Sequence, residues 1–355
     1  MARPRTSVRI FHMKLSLSVL ALVASVFAPF VTAPHWSPQV SGGSATLRGV
    51  SAVSDTVAWA SGSGNTILRT ADGGRTWQPL TVTADKLDFR DVDAIDARTA
   101  YLLSIGTGAA SRIYKTTDAG AHWTLQFTNP DPRGFFDAMT FWDADRGIVV
   151  GDSVDGRFSI FLTSDSGRTW TAAPPEGLPA ALPNEGAFAA SGTNVAVYGN
   201  DVWFGTGAGA KARVLHSRDR GRTWTVAETP LIAGPSAGIF SVAFRDAMHG
   251  VVVGGDYKKE DNATDNLAVT SDGGRTWTLV KEHALSGFRS VVAYAPGTAS
   301  SLIAVGPQGA DWSTDDGRTW APIEGPGFHA FSFSKTGAVG WGAGGRGSLA
   351  RLNVK

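Results

Sequence analysis

Arginines, acids and aromatics recur together in seven short stretches of this chain. They are Leu47-Arg48, Phe89-Arg90-Asp91, Phe135-Phe136-Asp137, Glu185-Gly186-Ala187, Phe240-Ser241, Phe288-Arg289-Ser290 and Phe328-His329. Brought to one mouth, they would set Arg48, Arg90, Arg289 and His329 beside Asp91, Asp137 and Glu185. A guanidinium is a permanent cation with a planar fork of donors, which suits carboxylates and acidic peptides. The long run from Gly254 to Asn266 adds Asp256, Tyr257 and Lys258, and Asp152 occupies the equivalent stretch of an earlier segment. Convergent charge at a channel mouth marks a binding site for a small anionic group or a peptide segment. The competing outcome is a solvated ring of inter-blade salt bridges.

The acids also raise the question of hydrolysis. Two carboxylates facing each other across a cleft cleave glycosidic bonds, at separations set by the stereochemistry. Asp137, Asp152, Glu185 and Asp256 are the candidates for a glycoside hydrolase or lyase, but sequence alone does not pair them. A sialidase would need an arginine cluster and a Tyr/Glu nucleophile pair. No Arg-Ile-Pro motif occurs, and none of the five tyrosines sits obviously beside a glutamate. Gly342-Ala343-Gly344-Gly345-Arg346-Gly347 spells a dinucleotide pattern, yet the residues after it read as a strand, where that chemistry needs a helix. Gly234-Pro235-Ser236-Ala237-Gly238 spells a nucleophile elbow, but without the strand-to-helix context. The seven histidines are scattered and no cysteine is present, so neither a metal site nor thiolate chemistry is expected, and no cofactor.

The elements that must carry these residues come from a repeat. Ser/Thr-x-Asp-x-Gly-x-x-Trp occurs six times, with its acids at Asp72, Asp118, Asp165, Asp219, Asp272 and Asp315. The steps between them are 46, 47, 54, 53 and 43 residues, the length of a four-stranded propeller blade. Each part of the motif has a physical task. The carboxylate can accept bonds from nearby backbone N–H groups and close a turn. Glycine supplies a positive φ without steric cost. Tryptophan starts the next strand and buries a large ring. These acids are therefore structural: a reacting residue should break the repeat rather than follow it.

Strand signals precede each copy, as at Phe89–Ile95 and Ala100–Ser104, or Phe240–Phe244 and Val251–Gly254. No long period of 3.6 residues appears, so almost no helix is expected. After the sixth copy the chain still runs through three strands, Phe328–Phe333, Ala338–Gly342 and Ser348–Leu352, with no fourth. His35-Trp36-Ser37-Pro38, ahead of the first blade, resembles the outer strands Trp77-Gln78-Pro79 and Trp320-Ala321-Pro322. The expected fold is all-β: a seven-bladed β-propeller of four-stranded antiparallel blades. Its ring is closed by the N-terminal strand joining the C-terminal blade, which leaves no innermost edge open.

Residues 1–33 carry Arg3, Arg5, Arg9 and Lys14 and no acid, ahead of an apolar run from Leu15 to Val31. That is the pattern of an export signal. The run is slightly short for a spanning helix, and cleavage after Ala28 or Ala33 would leave a proline first. A cleaved signal and an uncleaved N-terminal anchor both remain open. The expected organisation is 1–33 as signal or anchor and 34–355 as the propeller, in the periplasm or outside the cell. Removing those four cations from the 32 basic residues leaves 28 against 31 acidic ones. A broad nucleic-acid footprint is therefore absent, contact with a membrane would come only through the N-terminal segment, and a monomer is expected.

The six copies resemble the Asp-box (BNR) repeat of sialidases, sortilin-type receptors and related propellers. Within that group, the spacing and the export pattern look most like the photosystem II stability/assembly factor family and its bacterial relatives. Gly134-Phe135-Phe136-Asp137, Phe188-Ala189-Ala190-Ser191-Gly192-Thr193, Gly238-Ile239-Phe240-Ser241 and Gly254-Gly255-Asp256-Tyr257-Lys258 carry that likeness. The resemblance implies a non-catalytic assembly or binding role with a protein or peptide client in the cell envelope. It does not identify the client, because fold does not fix function.

Overall fold

The boxed turns build themselves from their own side chains. In the first copy, Thr70 Oγ1 donates to Asp72 Oδ1 at 2.9 Å and accepts from the Gly74 amide at 2.9 Å. Asp72 Oδ1 accepts from the Thr76 amide at 3.0 Å and Oδ2 from the Thr76 hydroxyl at 2.7 Å. These bonds hold the Asp72 carboxyl down to about 2, even at the surface. The same set recurs at Asp165, Asp219, Asp272 and Asp315, and at Asp118 with His122 in the threonine's place. Two consecutive left-handed residues follow each acid, as at Gly73 and Gly74 (φ 78° and 84°) or Ser166 and Gly167 (61° and 77°). The second is glycine in all six copies.

The computed structural model describes residues 1–2, 34–335 and 339–354. The signal or anchor reading rests on residues 3–33, which lie outside the described residues. From Pro34 onward the chain makes seven four-stranded antiparallel sheets in a ring. Blades one to six cover residues 47–80, 88–128, 136–172, 195–228, 237–279 and 291–323. Blade seven takes three strands from residues 330–353 and its outermost strand, His35–Val40, from the other end of the chain. That strand pairs with Ser348–Asn353 in antiparallel register, Trp36 opposite Leu352. Helix among the described residues is limited to three single 3-10 turns.

The core lies between blades rather than within them. In five of the boxed blades the tryptophan, Trp77, Trp170, Trp224, Trp277 or Trp320, is buried among apolar side chains of its own blade and the one before. Trp123 is half-buried at the corresponding junction of blades one and two. Blade seven has no boxed copy, and Trp36 of the N-terminal strand fills that place. It packs on Phe328 and Phe331 at ring separations of 4.6 and 5.9 Å.

The innermost strands are also tied to one another by side chains. Ser51 Oγ accepts from the Ala94 amide, Asp91 Oδ2 from Met139, Ser241 Oγ from Val292, and Ser332 Oγ from Ala52, at 2.8 to 3.1 Å. The last of these links blade seven to blade one.

Blade four departs from the sequence-based expectation. Its inner strand is Val195–Tyr198, not a strand beginning at Glu185-Gly186-Ala187. Glu185 is locked in place by Arg213, Gly186 and Asn194 bond to Gly207 and Gly205 of the same blade, and the residues between them reach other blades instead of forming a ladder. Residues 186–194 thus form a strap across the channel. Thr193 O accepts from the Val242 amide of blade five, and Ser191 Oγ donates to Ser290 O of blade six at 2.9 Å. On the opposite side Asp152 Oδ1 of blade three accepts from the Ala187 amide at 2.9 Å. Arg90 of blade two donates to Ala189 O at 3.2 Å.

Candidate functional site

The strap floors a cavity of about 300 Å³ on the face opposite the boxed turns. Its walls are chemically divided. Arg48, Arg90 and His329 make one side, contributed by the starts of the inner strands of blades one, two and seven. Phe188 of the strap, Phe240, Phe288 and Tyr257 make the other. Phe188 stacks flat on Phe240 at 4.0 Å, Phe288 meets Phe240 edge-on at 4.7 Å, and Tyr257 lies about 6 Å from both Phe188 and Phe240. Ala189, Ala190, Ser290, Pro307 and Glu260 complete the lining, and Glu260 is the sole carboxylate among these residues.

The cationic wall is under electrostatic tension. Arg48 makes no salt bridge among the described residues, and its Nε is buried without a hydrogen-bond partner. Burial, and then repulsion from Arg90, pull its guanidinium down to about 10, so it stays charged at neutral pH. His329 is pushed down to about 4 by burial and then by Arg48 and Arg90, so its imidazole is neutral. Arg90 is partly compensated: its Nε bonds Asp88 Oδ2 at 3.0 Å. A half-buried cation short of partners is partly desolvated without compensation until an anion reaches it. Beside it stands an apolar aromatic surface. The cavity therefore suits a ligand with a carboxylate or similar anion next to a non-polar group.

Of the eleven residues singled out from sequence, Arg48, Arg90, Tyr257 and His329 line this cavity. Arg289 does not. It is 1% exposed, its Nε bonds Asp311 Oδ2 at 2.7 Å, and its remaining donors go to Phe288 O and Ser286 Oγ. Glu185 is likewise consumed. It forms a buried ion pair with Arg213 and accepts from Thr206 Oγ1 and the Leu182 amide. Asp91 ties blade two to blade three, and burial raises its carboxyl to about 8. Asp137 is buried beneath the strap and raised well above the carboxylate range by burial and then by Asp152, which burial also raises. Asp256 accepts from Ser236 Oγ at 2.7 Å and the Lys258 amide at 3.0 Å; the Ser236 bond chiefly lowers its carboxyl. Lys258 is exposed, its ammonium 6.0 Å from the Tyr257 ring centre.

Arg289 and Glu185 pair in the interior with Asp311 and Arg213 of their own blades, not with the other charges singled out at the mouth. The aromatic wall is only half legible in the sequence. Phe240 and Phe288 stand in the mouth motifs as strand residues, whereas Phe188 lines the cavity only because the strap folds inward. Among the described residues no group of three or more His, Asp or Glu is arranged to hold a metal ion.

No protein-family model matches this chain. A xyloglucanase of Paenibacillus sp. is 29% identical over 188 residues, 45% of this chain. That stretch spans only 18% of the xyloglucanase, under a fifth of its length. The photosystem II assembly lipoprotein Ycf48 of Nostoc sp. is 26% identical over 286 residues, 66% of this chain and 74% of that protein. This chain resembles Ycf48. A solved structure of YCF48 bound to D1 peptide covers 90% of this chain and 97% of that one, with a TM-score of 0.62. At 20% identity, that structural likeness is one of fold.

Proposed function

We propose that this protein is an exported, non-catalytic binding scaffold that holds a segment of a protein client, or a small anionic ligand, in the funnel. The observation that carries the reading is Arg48: a half-buried guanidinium that makes no salt bridge among the described residues and whose Nε is buried without a hydrogen-bond partner, facing a wall of four aromatic rings. The likeness to Ycf48, one example of which was solved with a peptide, supports a peptide client. Glycan hydrolysis has weaker support. The match to xyloglucanases is short, Asp137 is buried, and Asp256 is held by its neighbours.

The test is an affinity capture from cell-envelope extract, using protein beginning at Pro34. It compares the natural chain with Arg48→Ala/Arg90→Ala, both checked for folding by circular dichroism. A partner held by the natural chain and released by the variant supports the reading. A partner held equally by both rules out the funnel as its site.

A further inference from the structure

The strap is positioned by carboxyls that have no cation to neutralise them. Asp137 is 1% exposed; the amides of Asp152 and Ala189 approach its carboxyl, yet its Oδ2 has no hydrogen-bond partner. The Ala189 amide belongs to the strap. Asp152 holds the next strap amide but one, that of Ala187, through Oδ1. Further along, Gly192 adopts φ +77°, and a Cβ there would lie 2.1 Å from Asp91 Oδ1, so the strap backbone rests directly on that third acid. Three of the strap's nine residues therefore sit on acids of blades two and three, Asp91 and Asp137 buried and Asp152 half-buried.

The charged groups around this floor are few. Arg90 reaches the strap from blade two, but its bond is to Ala189 O and its ion pair is with Asp88. Asp93 adds a further negative neighbour to Asp91. The Glu185–Arg213 pair stands at the strap's start and is closed on itself. Arg48 and His329 face the cavity above, blade five meets the strap through the Ser241 hydroxyl and backbone, blade six through the Ser290 carbonyl, and Tyr257 meets Phe188.

We propose that the strap is a proton-operated latch: residues 186–194 stay seated, with Phe188 in the aromatic wall, only while Asp137 carries its proton. The atoms require this. An ionised Asp137 would carry a buried charge solvated only by two backbone amides, with its Oδ2 unpartnered, against a second carboxyl. Lifting the strap admits water to that oxygen and relieves both costs. The seated state binds a proton that the lifted state releases. Above the carboxyl's ordinary range and below its value in the seated state, lifting therefore becomes about tenfold more favourable per pH unit. A mildly acidic medium keeps the funnel floor and its aromatic wall intact, and an alkaline one withdraws Phe188 from the site.

The test needs no ligand, so its failure would leave the client-binding reading standing. Backbone hydrogen exchange is followed by mass spectrometry from pH 6 to pH 9, with each rate corrected for its intrinsic pH dependence. The expected result is that peptides covering 186–194 lose protection about tenfold per pH unit. Peptides covering the inner strand Ala237–Phe244 should not. In Asp137→Asn the strap should be protected with no such slope. A flat profile for the strap in the natural chain overturns the latch whether or not the variant folds. So does a strap that loosens only together with blade five, or a variant that keeps the slope.

Discussion

Arg289 is expected from sequence at the funnel mouth and is instead a buried strut, and the two roles predict opposite results on substitution. Arg289 and Asp311 are each 1% exposed and bonded to one another, with Ser286 and Phe288 O completing the cluster. Arg289→Met would strand the Asp311 charge in the interior, a loss of about 3–5 kcal/mol for a buried pair broken on one side. With an unfolding entropy of roughly 2.1 cal/mol/K per residue over about 300 ordered residues, the melting temperature should fall by roughly 5–8 °C. Adding Asp311→Leu removes the stranded charge, so the double variant should recover more than half of the loss, because an ion pair and a well-packed apolar pair are often close in energy. The assay is thermal unfolding by circular dichroism at pH 7 on the natural chain, both single variants and the double. Two results would refute the reasoning. One is an Arg289→Met midpoint within about 1 °C of the natural chain. The other is a double variant no better than the worse single. Either would return Arg289 to the ligand-facing role that its position in the sequence suggested.

Two further outcomes follow from the ring. Trp36→Ala removes the side chain that closes the junction of blades six and seven, and should cost roughly 3 kcal/mol in urea unfolding; a loss below about 1 kcal/mol would mean that the ring is closed by the strand's backbone alone. Asp91 is raised to about 8 when folded from an ordinary 3.8, so the folded state holds a proton that the unfolded chain gives up. Its cost to stability is absent below 3.8, grows as pH rises, and is complete above 8. Between pH 6.5 and 8 stability should fall by about 2 kcal/mol from this group alone. Asp91→Asn should make the slope shallower by that amount while Asp137 keeps its own share, and a variant with the natural chain's slope would contradict the assignment.

The ring and the site differed in legibility for a physical reason. Each boxed turn is closed by hydrogen bonds within seven residues, Thr70 to Thr76 being the pattern, so its structure is written in local sequence. The repeat then counts the blades, and the missing seventh copy points to Trp36. The funnel has no such locality. Whether Arg48 or Arg289 is free depends on which acid lies across the fold, and Asp311, 22 residues from Arg289, takes one of them. Both arginines carry the same type of motif, an arginine beside an apolar residue at the start of an inner strand. Phe188 shows the same limit. Phe188-Ala189-Ala190 has the composition of a strand, and only Glu185 locked to Arg213, Gly192 against Asp91 and Ala189 over Asp137 turn it into a strap. Repetition encodes the scaffold, while the site sits where repetition fails, in the one blade whose inner strand begins ten residues late. That is also why the strap is the place to look for function: the six repeated turns recur without regard to a ligand, and the strap is where the chain departs from them.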